Sequence, residues 1–394
     1  MTSNDILLSS LIQVIGPGTT SRPVHLHEPD FTSTNAWTYV KSCLDSGWVS
    51  SSGEWVNKFE QALCNYTNAK YAIAVNNGTS ALRLALHLIG VQQGDEVLVP
   101  PLSFVATANA ISHLGAIPHF VDIETSTLGM SPKALERRLN EIATLVSGRL
   151  INKETGRRIS AVLPVHVFGN PAQIIALKKL ASFWNLPIVE DSAEALGSWH
   201  NGVHCGLFGA IGIISFNGNK LITTGGGGAL LTNSDNLAQR ARHLSTTAKL
   251  PHRWEFEHDS IAWNDRMPNI NAALGLAQLD NLESRLEAKQ TLYARYFKEF
   301  SRNLGVELMT TTQDSISNNW LITLRFTDPD PLKSRDRLIS FLTNAHQQGL
   351  LLRPVWKPLN LLPMYNNCPS GDLSISWDQS NRLVNLPSSP KLIR

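Results

Sequence analysis

The sequence predicts an α/β fold: a large domain built on a mainly parallel sheet, followed by a smaller α+β C-terminal domain. Three observations carry this reading. From about residue 70 to 245, short apolar runs alternate with helical patterns, as strands joined by crossover helices do. Beyond residue 269 the alternation gives way to one long helical stretch and then a strand–helix–strand set. At 394 residues and 42% hydrophobic content, the chain can bury a large core and divide in two. The expected division is an N-terminal extension at 1–24, a large domain at 25–265 and a small domain at 266–394.

The elements follow in order. The first 20 or so residues read as an added helix leading into the linker Gly16-Pro-Gly-Thr-Thr-Ser-Arg-Pro23. Tyr71–Val75 is a short apolar strand, and Leu82, Ala85, Leu86 and Ile89 recur at helical spacing after it. Glu96–Val99 and Ala161–Val165 are further strands, and the polar stretch Ser147–Arg158 is a surface hairpin or loop. Ile174–Phe183 is a helix with Pro171 near its start. Leu186–Asp191 is a buried strand ending in a carboxylate. Ala210–Phe216 and Ala229–Leu231 are strands on either side of a glycine-rich turn. Asn269 to about Arg302 reads as one long, capped or kinked helix. Trp320–Phe326 is a strand, Asp336–Gln348 a helix closed by Gly349, and Leu350–Val355 a strand. There is no internal repeat.

Composition narrows the function. A net charge of +2 gives no basic field, so neither nucleic acid nor an anionic membrane is an expected partner. Cys43, Cys64, Cys205 and Cys368 are scattered without metal or redox spacing, which suits free thiols in a reducing compartment. Met1–Ile15 lacks the basic start of a secretory signal, and no apolar run reaches membrane-spanning length. These point to a cytoplasmic enzyme with no metal.

The chemistry concentrates in three places. Ile213-Ile-Ser-Phe-Asn-Gly-Asn-Lys220 is followed by Gly225-Gly-Gly-Gly228, a run that lets backbone turn tightly or approach another group. Lys220 is either an ordinary exposed hairpin lysine or a desolvated, nucleophilic amine. Asp191 ends its strand where ligands of open α/β sheets sit, and its position also suits a helix N-cap. Gly78, Thr79 and Ser80 fall at a strand-to-helix turn, where free N–H groups and hydroxyls bind anions or simply cap the helix.

Together and in this order, these pieces resemble the DegT/StrS group of sugar aminotransferases, fold-type-I pyridoxal-phosphate enzymes. The resemblance runs from about His25 to about Pro390. Within the group the chain is most similar to the branch that aminates a nucleotide-linked 4-keto-6-deoxy sugar on the route to legionaminic acid. The residues carrying that narrower match are His27-Glu-Pro29, Gly47-Trp-Val-Ser-Ser51, Pro118-His-Phe-Val-Asp122 and Ser215–Gly228. Thr246–Glu255, Met267–Gly275, Arg353-Pro-Val-Trp356 and Asn385-Leu-Pro-Ser-Ser389 extend it.

The resemblance implies a role for each matching residue. Lys220 would hold pyridoxal 5'-phosphate covalently, with Asn217 beside it in the same turn, and Asp191 would face the pyridine nitrogen. Gly78, Thr79, Ser80 and Ser215 would hold the phosphate, and Phe104 would stack on the ring. Glu194 and His166 would lie near the ring. Asn264 would reach across a homodimer interface to the neighbouring subunit's phosphate. Read without the family, Phe104 and His166 are ordinary core residues. Two positions depart from the pattern: Asp265 replaces a tyrosine, and Asn360 stands where many relatives have histidine.

The implied activity is ping-pong transfer of an amino group from an amino acid, L-glutamate, to the 4-keto group of a nucleotide sugar. Amination of another keto sugar, such as the perosamine precursor, is the alternative within the same chemistry. A cofactor-binding regulatory protein without turnover is the alternative outside it, and Lys220, Asp191 and Thr79 together argue against that.

Overall fold

The structure, a computed structural model, describes residues 3–302 and 304–393. Helices α1 (Ser3–Ile15), α2 (Ala36–Asp45) and α3 (Glu54–Thr67) precede β1 (Tyr71–Val75), which runs directly into α4 (Gly78–Leu88). β2 (Glu96–Val99), α5 (Ala106–Ser112), β3 (Ile117–Phe120) and α6 (Pro132–Ile142) follow. The expected hairpin is formed by β4 (Ala143–Val146) and β5 (Arg149–Asn152), turning on Ser147 and Gly148, both at positive φ. Next come β6 (Ile159–Val162), α7 (Ile174–Phe183) and β7 (Val189–Asp191), then the short ribbon β8 (Trp199–His200) and β9 (Val203–His204). β10 (Ile211–Ser215) and β11 (Gly228–Thr232) bracket the lysine turn before α8 (Asp235–Ser245).

Seven of these strands share one plane. β1 pairs antiparallel with β11, β11 antiparallel with β10, and β10 parallel with β7. Parallel bridges at Val162–Ile188 and Val165–Asp191 continue the sheet to β6, which lies parallel to β2, and β2 parallel to β3. The order is β1-β11-β10-β7-β6-β2-β3, with β11 alone running against the rest. The sheet is therefore mainly parallel, as the sequence predicts. Strands such as β2 and β6 are buried along their whole length because helices cover both faces.

The C-terminal part contains α9 (Asn269–Leu279), α10 (Leu282–Phe300), β12 (Val306–Leu308), β13 (Ser315–Ile316) and β14 (Ile322–Phe326). α11 (Pro331–Gln347), β15 (Arg353–Pro354), α12 (Ser374–Ser380) and β16 (Leu383–Leu386) complete it. β12-β14-β16-β15 form an antiparallel sheet, while β13 pairs with β8 and ties the two parts together.

Several boundaries differ from the sequence expectation. The long helix from 269 is two helices, interrupted at Asp280 and Asn281. α11 begins at Pro331, earlier than Asp336, because Asp330 caps it by accepting from the Leu332 N–H and proline suits the first helical turn. The strand expected over 350–355 contracts to Arg353–Pro354. Packing also redistributes two helices. Leu7, Leu8 and Leu11 of α1 are buried with Leu292, Phe341 and Leu386, so the extension belongs to the C-terminal core. Ala272 and Ala273 of α9 pack with Phe59 and Ile214, so α9 sits with the large sheet although it follows residue 266.

Candidate active site

The carboxyl ends of the neighbouring strands β7 and β10 carry Asp191 and Ser215; the charge of Lys220 acts on Asp191, and Gly78 at the start of α4 approaches Ser215. The lysine sits in the turn after β10, closed by its own N–H donating to Asn217 O at 2.9 Å. Its side chain is 13% exposed, and Nζ donates to Glu194 Oε1 at 3.1 Å. Nζ also lies 3.8 Å from the centroid of the Trp320 ring. Of the two sequence readings of Lys220, the desolvated one matches this placement.

The glycine run explains itself in part. Gly225 has φ +79°, a conformation L side chains rarely adopt. A Cβ on Gly228 would meet Asn77 C at 2.7 Å and Gly78 N at 2.8 Å, so β11 can approach the start of α4 only without a side chain there. Across that same junction, a Cβ on Gly78 would lie 3.0 Å from Ser215 Cβ. Asn77 caps α4 by accepting from the Ser80 N–H at 2.8 Å. The Gly78 and Thr79 N–H groups, first in the helix, have no acceptor within it and point outward at the positive end of its dipole. The Ser80 N–H is used by the cap, so both roles foreseen for this turn coexist.

Asp191, the last residue of β7, is buried. Thr107 Oγ1 donates to its Oδ2 at 2.7 Å and the Ala193 N–H to its Oδ1 at 3.2 Å. Burial raises its pKa, opposed by those hydrogen bonds and by the charge of Lys220. Glu194 is likewise raised, by burial first, against the Lys220 charge and the Phe168 N–H that donates to its Oε2 at 2.8 Å. Phe168 itself holds φ +57°, an uncommon conformation for an aromatic residue. Phe104 is 55% exposed at the rim, with its ring 6.5 Å from Trp356, which stacks on Phe168 at 4.7 Å.

Not every expected residue faces this space. His166 is fully buried beside Asp191, but its Nε2 hydrogen-bonds Glu190 Oε2 at 3.0 Å and its Nδ1 accepts from the Ala172 N–H at 3.1 Å. Both ring nitrogens are committed to protein groups, in a buried position from which the ring acts on Asp191 by its charge. Asn217 is exposed and donates to Asn219 Oδ1 at 3.2 Å. Asn264 is exposed on a strand-like bridge with Thr246. Asp265, at the departure from the family pattern, pairs with Arg83 of α4 and accepts from Asn76 Nδ2 at 3.3 Å. Arg83 in turn lies 4.7 Å from the Trp263 ring centroid. The substituted carboxylate thus braces the helix whose N-terminus forms the cradle. Asn360 leaves its Oδ1 buried without a partner.

Two residues of this site carry no sequence signal of their own, and a third, His27, enters the sequence reading only through the family match. Thr107 is one hydroxyl in an unremarkable helix start. Trp320 precedes an apolar strand and reads as core. His27 is half-buried with both ring nitrogens shielded from solvent, and its pKa is well lowered by burial and then by the charges of Lys289, Lys220 and Arg285, against the Asn219 backbone.

The donor set fits pyridoxal phosphate. A pyridinium would give the buried Asp191 a further counter-charge, the first N–H groups of α4 and Ser215 suit a phosphate, and Lys220 supplies the amine.

The comparisons agree. A family profile described as the DegT/DnrJ/EryC1/StrS aminotransferase family matches residues 32–394. EpsN of Bacillus subtilis, named as a pyridoxal phosphate-dependent aminotransferase, is 37% identical over 338 residues, covering 86% of this chain and 83% of that protein. The GDP-perosamine synthase of Vibrio cholerae is 34% identical over 370 residues, covering 94% and 95%. The structure of Helicobacter pylori PseC, an aminotransferase involved in the biosynthesis of pseudoaminic acid, superposes with a TM-score of 0.80 at 27% identity, covering 93% and 94%. The chain therefore belongs to the DegT/DnrJ/EryC1/StrS aminotransferase family and is an enzyme that works with pyridoxal phosphate.

Proposed function

We propose that this enzyme transfers the amino group of L-glutamate to the 4-keto group of a nucleotide-linked 4-keto-6-deoxy sugar. The observation that carries the reading is Lys220 Nζ on the Glu194 carboxylate, within electrostatic reach of the buried Asp191 at the carboxyl end of β7. When bound, pyridoxal phosphate withdraws electrons from the donor's α-carbon and stores the amino group between the two half-reactions. The protein's residues do the rest. Asp191, oriented by Thr107 and the Ala193 N–H, would hold the pyridine nitrogen. Gly78, Thr79 and Ser215 would hold the phosphate, and the exposed ring of Phe104 would pack on the cofactor. Lys220 Nζ removes the proton from the donor's α-carbon and later delivers one to the former keto carbon, from one face only. Glu194 holds that amine in place between transfers.

The legionaminic-acid branch is supported by the residues quoted for it above, from His27 through Ser389. A perosamine-type sugar is the second reading, supported by the Vibrio cholerae GDP-perosamine synthase, which matches over 94% of this chain. A homodimer with shared sites is part of the proposal: Asn264 is exposed, and Trp254, Phe256 and Ile261 in the preceding segment are 69%, 77% and 96% exposed, which suits burial against a second copy. A cytoplasmic location is consistent with a described chain in which no helix is long and apolar enough to cross a membrane.

The test is an absorbance spectrum of purified protein with pyridoxal phosphate, before and after L-glutamate. A visible band that moves toward the ultraviolet supports the reading; no band overturns it. Parallel assays with UDP- and GDP-linked 4-keto-6-deoxy sugars then separate the two substrates.

A further inference from the structure

Trp320 meets the same Lys220 ammonium as Glu194, and four contacts fix it there. Its backbone N–H donates to Asn318 Oδ1 at 2.8 Å. Its carbonyl oxygen accepts from Lys289 Nζ at 3.1 Å, and Lys289 also donates to Ser388 O at 2.5 Å. Its indole Nε1 donates to Asn219 O at 2.9 Å, one residue before the lysine. Its face lies 3.8 Å from Lys220 Nζ. Asn318 extends the frame, donating through Nδ2 to Glu194 O and Leu196 O, both at 2.8 Å. One short segment of the C-terminal part, Asn318–Trp320, therefore holds both the carboxylate-bearing loop and the lysine turn.

We propose that Trp320 is a positioning residue of this active site: its indole face and the Glu194 carboxylate together form the resting place of the Lys220 ammonium whenever that amine is not bonded to the cofactor. The inference rests on Lys220 being the cofactor lysine. Its physical content is that an aromatic face attracts a cation, most strongly where water is excluded. A lysine that carries protons between two carbons must be released, held and returned to one spot, and a flexible four-carbon stem does not do that unaided. The bidentate arrangement of one carboxylate oxygen and one ring face supplies that spot without a second covalent anchor. The other ionisable groups facing Lys220 are Asp191, from the end of β7, and His27, from the N-terminal segment, with Lys289 and Arg285 of α10 behind His27. Among these groups the two carboxyls favour the ammonium and the cations oppose it, so the π face adds to the carboxylate side.

The test is the pH dependence of Lys220 acetylation by acetic anhydride in full-length protein stripped of bound cofactor with hydroxylamine and dialysis, read by peptide mass spectrometry. Only the unprotonated amine reacts, so the midpoint reports how well the ammonium is held. Trp320→Leu is expected to move the midpoint about one pH unit lower, roughly a tenfold gain in labelling below it. Trp320→Phe keeps a ring face and should retain most of the native midpoint. Incorporation of tryptophan carrying successive fluorines weakens the face without changing its shape, and should lower the midpoint stepwise even if the leucine variant does not fold. A merely structural role would change the plateau rate and leave the midpoint alone. An unmoved midpoint in the leucine or fluorinated proteins, or a phenylalanine variant displaced as far as leucine, overturns the proposal. Failure of the underlying reading looks different: native protein then forms no visible band with pyridoxal phosphate, while the Trp320 midpoint shift is still present.

Discussion

Glu96 and Asp191 are both buried carboxyls at strand ends of the same sheet, and their surroundings diverge. Glu96, at the first residue of β2, accepts from His119 Nδ1 at 2.7 Å, Asn152 Nδ2 at 2.8 Å and Thr155 Oγ1 at 2.6 Å. His119 Nε2 in turn accepts from Arg138, which is held by Glu154. Burial works against the Glu96 charge, yet those hydrogen bonds outweigh it and leave the pKa below its usual value. Asp191, at the last residue of β7, has Thr107 and one backbone N–H, and burial prevails. The amino end of the sheet thus closes its polar network with protein, while the carboxyl end leaves room for an outside partner. The difference teaches where to look: a satisfied cluster is architecture, and an under-satisfied one of the same composition is a site.

Substitutions should separate the two ends by what they damage. Lys220→Ala should have the largest effect on function, removing the covalent anchor and a proton-transfer contribution of ~10²–10⁴-fold; steady-state assays should show no turnover while the melting temperature stays close to native. At the opposite edge, Glu96→Ala should cost about 3–5 kcal/mol of stability, because it strands the buried His119 and Asn152 and the Thr155 hydroxyl without their acceptor. Urea unfolding measures that loss, and turnover per folded molecule should not change. Asp191→Asn should lower kcat by about 10²–10³-fold, by analogy with loss of one preorganised electrostatic group. It should not destabilise the cofactor-free protein, since a buried charge with too few partners is removed; a drop in unfolding midpoint would place Asp191 with Glu96 and break the contrast.

A smaller effect should appear on acidification. His204 is fully buried, its Nε2 accepts from the Gly197 N–H at 3.0 Å, and burial lowers its pKa to about 4. Between the unfolded value near 6.5 and that lowered value, the unfolded chain binds a proton that the native state refuses. Stability should therefore be intact above pH ~6.5 and decline by up to ~1.4 kcal/mol per pH unit as pH falls toward 4. His204→Gln should flatten that segment of the stability–pH curve, and an unchanged slope would assign the acid sensitivity elsewhere.

Much of the fold was legible because it is local. The apolar run Tyr71–Val75 followed by Asn-Asn-Gly-Thr-Ser and a helical stripe leaves one geometry open, and β1, Asn77 and α4 adopt it. Lys220, Asp191 and Thr79 were findable for the same reason: each sits at a strand end or helix start that its own neighbours announce. What was not legible depends on contacts distant in sequence. The apolar pattern runs on through Asp280 and Asn281, so the break between α9 and α10 is invisible without the packing around it. α1 belongs to the C-terminal core only because Leu292 and Phe341 meet it there. His166 follows a strand whose end faces the site, but its ring turns toward Glu190, a choice made by the buried partner rather than by the motif. Trp320 reaches Lys220 across a hundred positions, and no spacing encodes that.

The pairing of β1 with β11 has a consequence for how the chain is made. Val75 lies opposite Gly228, so the strand that leads into the anion cradle acquires its neighbour only after residues 76–227 have left the ribosome. Until then Tyr71–Val75 is an apolar edge with unpaired backbone groups, open to wrong strands. Closing so long a connection is slow compared with forming the β2, β3 and β6 pairings upstream. The cradle is consequently a late product of folding, and cofactor added during synthesis has nothing to grip until the lysine turn and its glycines have arrived.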